Sequence, residues 1–233
     1  MDDANTIYQE LGENIRIFRK QKKITQVDLG IQINKSSSCI SKYEKGEIVI
    51  DIVTLIDIAN ALDVPLETLY PHSAKKSNIE GNHAPLHPYF KNTPLFLFWY
   101  NGIEKKIKKC AIKINDNSTT ATLFMEPQSA THYTNCTYLM HGEIINSESH
   151  TYLYAHNPLY VNDFIFISIS NLDLTLSNSI CHMTAMSTQN RTIATKGYLS
   201  RPTEIPTDSN LLDLLRFNKM DIQRIKSTNF LML

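Results

Sequence analysis

Residues 5–70 and residues 94–200 obey two different hydrophobic periods, and no single layer of secondary structure accommodates both. In the first stretch Ile7, Leu11, Ile15 and Phe18 recur at helical spacing and share one face. In the second, short runs rich in Tyr, Ile, Phe and Thr are separated by Asn, Asp, Ser or Pro, the texture of strands and turns. Between them His72 to Thr93 is polar and carries Gly81, Pro85 and Pro88, which suits a flexible linker. The expected division is 1–72, a linker over 73–93, and 94–233. At roughly 100–200 residues per domain the 233-residue chain has room for both.

The first region reads as five helices. Thr25 can cap a second helix, with Asp28 three positions on as its capping-box partner and Leu29 and Ile33 inward. Ser36 can cap a third, which carries Ile40 and Tyr43 and stops at Gly46. Asp51 opens a fourth, with Leu55, Ile58, Ala59 and Leu62 inward, and Val64-Pro65 opens a short fifth through Leu69. The second region offers Leu95–Tyr100, Ile107–Ile114, Thr119–Met125, Cys136–Ile145, Thr151–Ala155, Asp163–Ser170, Ile180–Ser187 and Thr192–Leu199 as strands. Eight strands suffice for an antiparallel sandwich or barrel, and periodicity does not choose between them. From Ser209 the chain reads as helix again and ends in the apolar Phe230–Leu233.

Within the helical region, Thr25-Gln26-x-x-Leu29 is followed by Ile33-Asn34-Lys35-Ser36-Ser37-Ser38-Cys39-Ile40-Ser41-Lys42-Tyr43-Glu44-Lys45-Gly46. This resembles, without a gap, the XRE or lambda-repressor-like helix-turn-helix family, over about the first 70 residues. The resemblance implies that the third helix enters a major groove. Ser37, Ser38 and Lys42 then fall where family members touch base edges, and Gln26 and Arg19 where they touch phosphate. Ser36, Ser41, Lys35 and Lys45 complete the DNA-facing set. Hydroxyls discriminate bases weakly, whereas Lys42 can reach guanine O6 or N7, so shape readout is expected to contribute. Charge agrees. The whole chain is neutral, with 23 basic and 23 acidic residues, which excludes a globally basic nucleic-acid coat. Residues 1–72 carry a net −3, yet residues 16–45 hold eight Lys/Arg against Asp28 and Glu44, a net of +6. Three positions depart from the family pattern. Gly30 stands where Ala is usual, Asn34 where a turn Gly is usual, and Lys35 where a small apolar residue is usual. The segment Glu47-Ile-Val-Ile50 replaces a basic loop. The competing reading is a five-helix bundle that docks protein rather than DNA.

The second region matches no family that its residues name. Self-cleavage needs a Ser nucleophile on a Gly turn with a Lys base. Lys196 is strand-borne, but no Ser is marked as its partner. A metal-dependent barrel needs clustered His and Glu. His141-x-Glu143, with His150, His156 and His182 nearby, is a weak version of that pattern, and separate histidines are the expectation. A sensor pocket would draw on Trp99, Tyr138, Tyr152, Tyr154 and Arg191, although tyrosines are equally at home in half-buried strands and interfaces. The run Lys105-Lys106-Ile-Lys108-Lys109 reads as a guarded sheet edge, with a phosphate patch as the alternative. Cys39, Cys110, Cys136 and Cys181 form no CxxC pair and are expected to be free thiols. No run of apolar residues is long enough for a membrane span, and the acidic start lacks a signal pattern, so a cytoplasmic location without membrane partners is expected.

The sequence therefore predicts an all-α helix-turn-helix of five helices followed by a mainly-β antiparallel sandwich or barrel with a C-terminal helix. The expected function is a dimeric, DNA-binding transcriptional repressor acting on a double-stranded operator. A C-terminal domain would hold the dimer or bind a small-molecule or protein effector. The alternative is an antitoxin or phage-type switch whose C-terminal domain binds a protein. No catalytic residue, cofactor or metal is expected.

Overall fold

The computed structural model describes residues 2–70, 85–91, 94–115, 119–171, 178–186 and 190–228. The helical region contains α1 (Asp2–Gln21), α2 (Gln26–Gln32), α3 (Ser37–Glu44), α4 (Ile52–Leu62) and α5 (Leu66–Leu69). The expected caps form. Thr25 and Asp28 make a reciprocal capping box on α2, the Ser36 hydroxyl accepts from the Cys39 amide, and Asp51 accepts from the Thr54 amide. Each satisfies a backbone donor that the first helical turn leaves without a partner. Leu11, Ile15, Phe18, Leu29, Ile40, Leu55, Ile58 and Leu62 are buried in one core, while Ile7 is exposed on the first turns of α1.

The departures at the α2–α3 turn have a steric reason. Asn34 takes a left-handed φ of 55°, which Asn tolerates. The Lys35 amide then donates to the Gly30 carbonyl at 2.8 Å. A Cβ on Gly30 would stand 2.5 Å from the Lys35 carbonyl oxygen, so Ala does not fit this turn.

The second region settles the choice left open between sandwich and barrel. Eight strands, β1 (Leu95–Asn101), β2 (Lys106–Ile114), β3 (Thr120–Met125), β4 (Tyr138–Asn146), β5 (His150–Asn157), β6 (Tyr160–Ser170), β7 (Asn178–Met186) and β8 (Thr192–Ser200), run as an antiparallel meander. Pairing of β8 with β1, from Phe96 opposite Ser200 to Trp99 opposite Gly197, closes the barrel and leaves no sheet edge. Alternate residues fill the inside, among them Leu97, Cys110, Leu123, Met140, Leu153, Ile167 and Met183. A cavity lined by Leu95, Ile112, Leu153 and Ile167 among others is about 10 Å³, room for at most one water. Gly197 marks how tight the filling is, since a Cβ there would lie 2.7 Å from Cys181 Sγ and 2.9 Å from a Leu97 methyl.

The end of the expected linker belongs to this core. Pro88–Phe90 form a 3-10 turn whose Tyr89 and Phe90 are buried with the barrel interior, and Phe90 closes one end. The Arg201 guanidinium lies over the Tyr89 ring, 5.4 Å from its centroid. Residues 73–84 and 92–93 of the expected linker lie outside the described residues.

The C-terminal stretch forms two helices rather than one, α6 (Asp208–Leu215) and α7 (Lys219–Thr228). Leu211 and Leu215 cover the outer face of β1 and β8, where Phe96, Phe98 and Tyr198 would otherwise meet water. The expected apolar end, Phe230–Leu233, lies outside the described residues. Helix α1 packs on another part of the barrel wall. Glu10 pairs with Lys113 at 2.5 Å, and Lys20 Nζ donates to Asn135 Oδ1 at 3.3 Å. The orientation expected to be free is thus set by contact, and the headpiece core runs continuously into Phe124 and Leu139 on the barrel exterior.

Candidate nucleic-acid interface

The third helix divides cleanly into two faces. Ile40, Tyr43 and Glu44 are buried, while Ser37, Ser38 and Lys42 are exposed and Ser41 is half-exposed. Positions 37, 38, 41 and 42 lie one helical turn apart and form a continuous outward strip. Burial pushes the Tyr43 hydroxyl up to about 12, so it stays neutral as a packing residue. The strip carries small hydroxyl groups and one primary ammonium, a surface that can approach base edges closely. Ser36 stands exposed beside it, its hydroxyl oxygen already engaged as the helix cap.

Two of the expected phosphate ligands do something else. Arg19 is 8% exposed, and its guanidinium meets the Glu44 carboxylate twice, at 2.5 Å and 3.0 Å, and donates to the Ile24 carbonyl at 2.8 Å. Gln26 donates its side-chain amide to the same carboxylate at 2.8 Å. Glu44, 4% exposed, therefore ties the end of α1, the start of α2 and the end of α3 to one point. Arg19, expected to touch phosphate, has its charge met by Glu44 inside the headpiece. Gln26 is half-exposed and shares the network rather than standing free.

The rest of the basic set is also partly spent. Arg16 pairs with Glu13, Lys22 with Asp63 at 3.2 Å, and Lys45 with Glu47 at 3.6 Å. Lys23, Lys35 and Lys42 are exposed and have no ion pair among the described residues. Lys35 stands close enough to Asp51 to help lower that carboxyl, though the Thr54 hydrogen bonds are the larger cause.

The residues expected to line a ligand pocket are not brought together. Trp99 and Tyr138 turn toward the barrel interior, where burial raises the Tyr138 hydroxyl, helped by Asp163. Tyr152 and Tyr154 lie on the outside of β5, stacked against Phe166 and His156 respectively. Arg191 is exposed just before β8. Strand parity separates them, since inward and outward residues alternate and no single cavity collects both. The histidines are dispersed too. His141 and His156 face each other across β4 and β5, and among the described residues no group of three His, Cys, Asp or Glu could hold a metal. Lys196 is buried and bonded to Asp221 at 2.6 Å, with no serine as its partner. Sequence reasoning missed Glu44 and Asp221. Glu44 sits four residues after Ile40 on the buried face of α3, which is the signal it carried, whereas Asp221 is buried on a helix with no buried apolar neighbour and carried none.

A family model for the helix-turn-helix (HTH_3) matches residues 15–69, the C-terminal third of α1 and the whole of α2 to α5. An uncharacterised HTH-type transcriptional regulator of Bacillus subtilis (strain 168) is 40% identical over 57 residues, 24% of this chain and 49% of the relative. The chain thus spans about half the length of that curated relative. The restriction-modification controller protein C.AhdI from Aeromonas hydrophila is 24% identical over 29% of this chain and 99% of its own, with a TM-score of 0.29. Hydroxypropylphosphonic acid epoxidase from S. wedmorenis is 13% identical over 84% of this chain and 92% of its own, with a TM-score of 0.30. The resemblance read from the N-terminal motif is shown over residues 15–69.

Proposed function

With residues 15–69 as a helix-turn-helix segment, we propose that the protein is a sequence-specific DNA-binding transcriptional regulator. The observation that carries this is the exposed strip Ser37, Ser38, Ser41 and Lys42, mounted on a helix whose other face is buried and pinned through Glu44. Lys42 reads a guanine edge, and Lys23, Lys35 and Lys45 provide phosphate attraction. The protein acts as a dimer on two half-sites about one turn apart, as a repressor that blocks polymerase access. Support for self-association comes from Val49, Ile52, Val53 and Ile56, apolar residues exposed together along α4 and the segment before it.

A second reading has its own support. The barrel interior is lined by buried, packed apolar side chains, and its outer face exposes Ile145, Tyr154, Tyr160 and Phe166. Such a face suits a protein partner better than an enclosed metabolite, as in a switch whose C-terminal domain binds protein. Selection of duplexes from a randomised library by the full-length protein tests the first reading, with sedimentation of the complex on the selected site. One enriched motif bound by two copies is expected. Uniform recovery of all sequences would leave the helical bundle as a protein-docking module.

A further inference from the structure

Outside the barrel, between the β1–β2 hairpin and α6, lies a groove of about 550 Å³. Its size falls within the range of small-molecule sites, roughly 300–1,000 Å³. Phe96, Phe98 and Ile107 from the hairpin form its floor, and Leu211 and Leu212 from α6 form the facing wall. Phe96 and Phe98 stack on each other with centroids 6.4 Å apart and are almost wholly buried beneath α6, so the apolar surface open to the groove is that of Ile107, Leu212 and the exposed Ile205. Lys105, Lys106 and Lys109 line the same groove. Their neighbour Lys108 is neutralised by Glu104 at 2.9 Å and Glu126 at 3.4 Å. The three groove lysines have no carboxylate partner among the described residues, and Asp208 is the lone acid in the lining. The basic run is therefore sorted, with one member spent on a structural pair and three left around an apolar trough.

We propose that this groove binds a free amphipathic anion, an alkyl carboxylate whose chain lies against Ile107, Ile205 and Leu212 and whose head is held by Lys106 and Lys109. The two features are complementary to one ligand chemistry. Apolar area removed from water drives uptake of the chain, and a carboxylate accepts charge-assisted hydrogen bonds from ammonium groups. A neutral chain would leave the lysines unanswered, and a small hydrophilic anion would leave the trough wet. The site is independent of the DNA-binding reading, since none of its lining residues belongs to α1 to α5.

The test is fluorescence titration of the full-length protein with 11-(dansylamino)undecanoate below its micellar concentration. Saturable binding with one site per chain and a blue-shifted emission is expected, displaced by dodecanoate but not by 1-dodecanol. Reversing the head site, with Lys106→Glu and Lys109→Glu together, is expected to weaken binding about tenfold or more, while arginine at both positions retains it. Lys106 is exposed and Lys109 half-exposed, and circular dichroism and the melting temperature serve to confirm that the variants stay folded. Lys23→Glu on the headpiece is the charge control and leaves binding unchanged. Absence of saturable binding, equal displacement by the alcohol, or indifference to charge reversal in a folded variant each overturns the assignment. Loss of DNA binding without loss of probe binding would count against the regulator reading alone.

Discussion

Arg19 sits in the middle of the basic run from Arg16 to Lys23, and nothing in its neighbours distinguishes it from a phosphate ligand. Only its partner does. Glu44 lies 25 residues away and reaches it once α3 has folded back over α1. A buried pair of this kind is costly to break from one side, because the remaining charge is stranded. Arg19→Met is therefore expected to destabilise the headpiece by about 3–5 kcal/mol in denaturant unfolding, and the double variant Arg19→Met/Glu44→Leu to recover most of it. A loss no larger than that at an exposed lysine would return Arg19 to the DNA surface. Gly30 makes the opposite kind of prediction. Helix propensity alone favours Ala by about 1 kcal/mol, yet Gly30→Ala is expected to lower the melting temperature, because the Lys35 carbonyl occupies the space a methyl needs. A raised melting temperature would show that the turn yields.

The elements themselves were largely legible. Caps at Thr25, Ser36 and Asp51 are local chemistry, settled within four residues, and each formed where the sequence placed it. Alternation located all eight strands within a few residues of their observed ends. What alternation does not encode is closure, which depends on β1 meeting β8 across about a hundred residues of chain. The helical reading from Ser209 covered α7 but not the break that separates it from α6. Helix α7 begins with a reciprocal box in which Asp221 accepts from the Asn218 amide at 2.8 Å and Asn218 accepts from the Asp221 amide at 2.9 Å. Asp221 also receives Lys196 from β8, whose ammonium lies 5.6 Å from the centroid of Phe217. The Lys196 hydrogen bond, then the Asn218 amide, holds the Asp221 carboxyl below its ordinary value. Its contribution to stability is whole above the unfolded value of about 3.9 and is lost as pH falls below that through the lowered value. Melting temperatures of the protein and of Asp221→Asn should accordingly converge as the pH is taken below about 4 and differ at neutrality. A constant gap across that range would remove the ion pair as the clamp on α7.

At the scale of the molecule the chain is a helical headpiece packed against a filled barrel, not two bodies on a free tether. Helix α1 touches the wall through Lys113 and the segment joining β3 to β4, where Asn135 meets Lys20. Ala130 of that same segment lines the groove beside α6, so one stretch of chain adjoins both the headpiece and the candidate anion site. None of this was readable beforehand, because contacts between regions follow neither local pattern. The DNA-facing strip was readable, since Ser37, Ser38, Ser41 and Lys42 share one helical turn and the inward residues are apolar. Its role is tested most directly by comparing Lys42→Ala with Lys23→Ala for binding to the selected duplex and to a scrambled one. Recognition through α3 predicts that Lys42→Ala lowers the preference for the selected duplex by about 1–3 kcal/mol. Lys23→Ala should weaken both duplexes alike. Equal losses from the two variants, or an unchanged preference without Lys42, would contradict base reading by this helix.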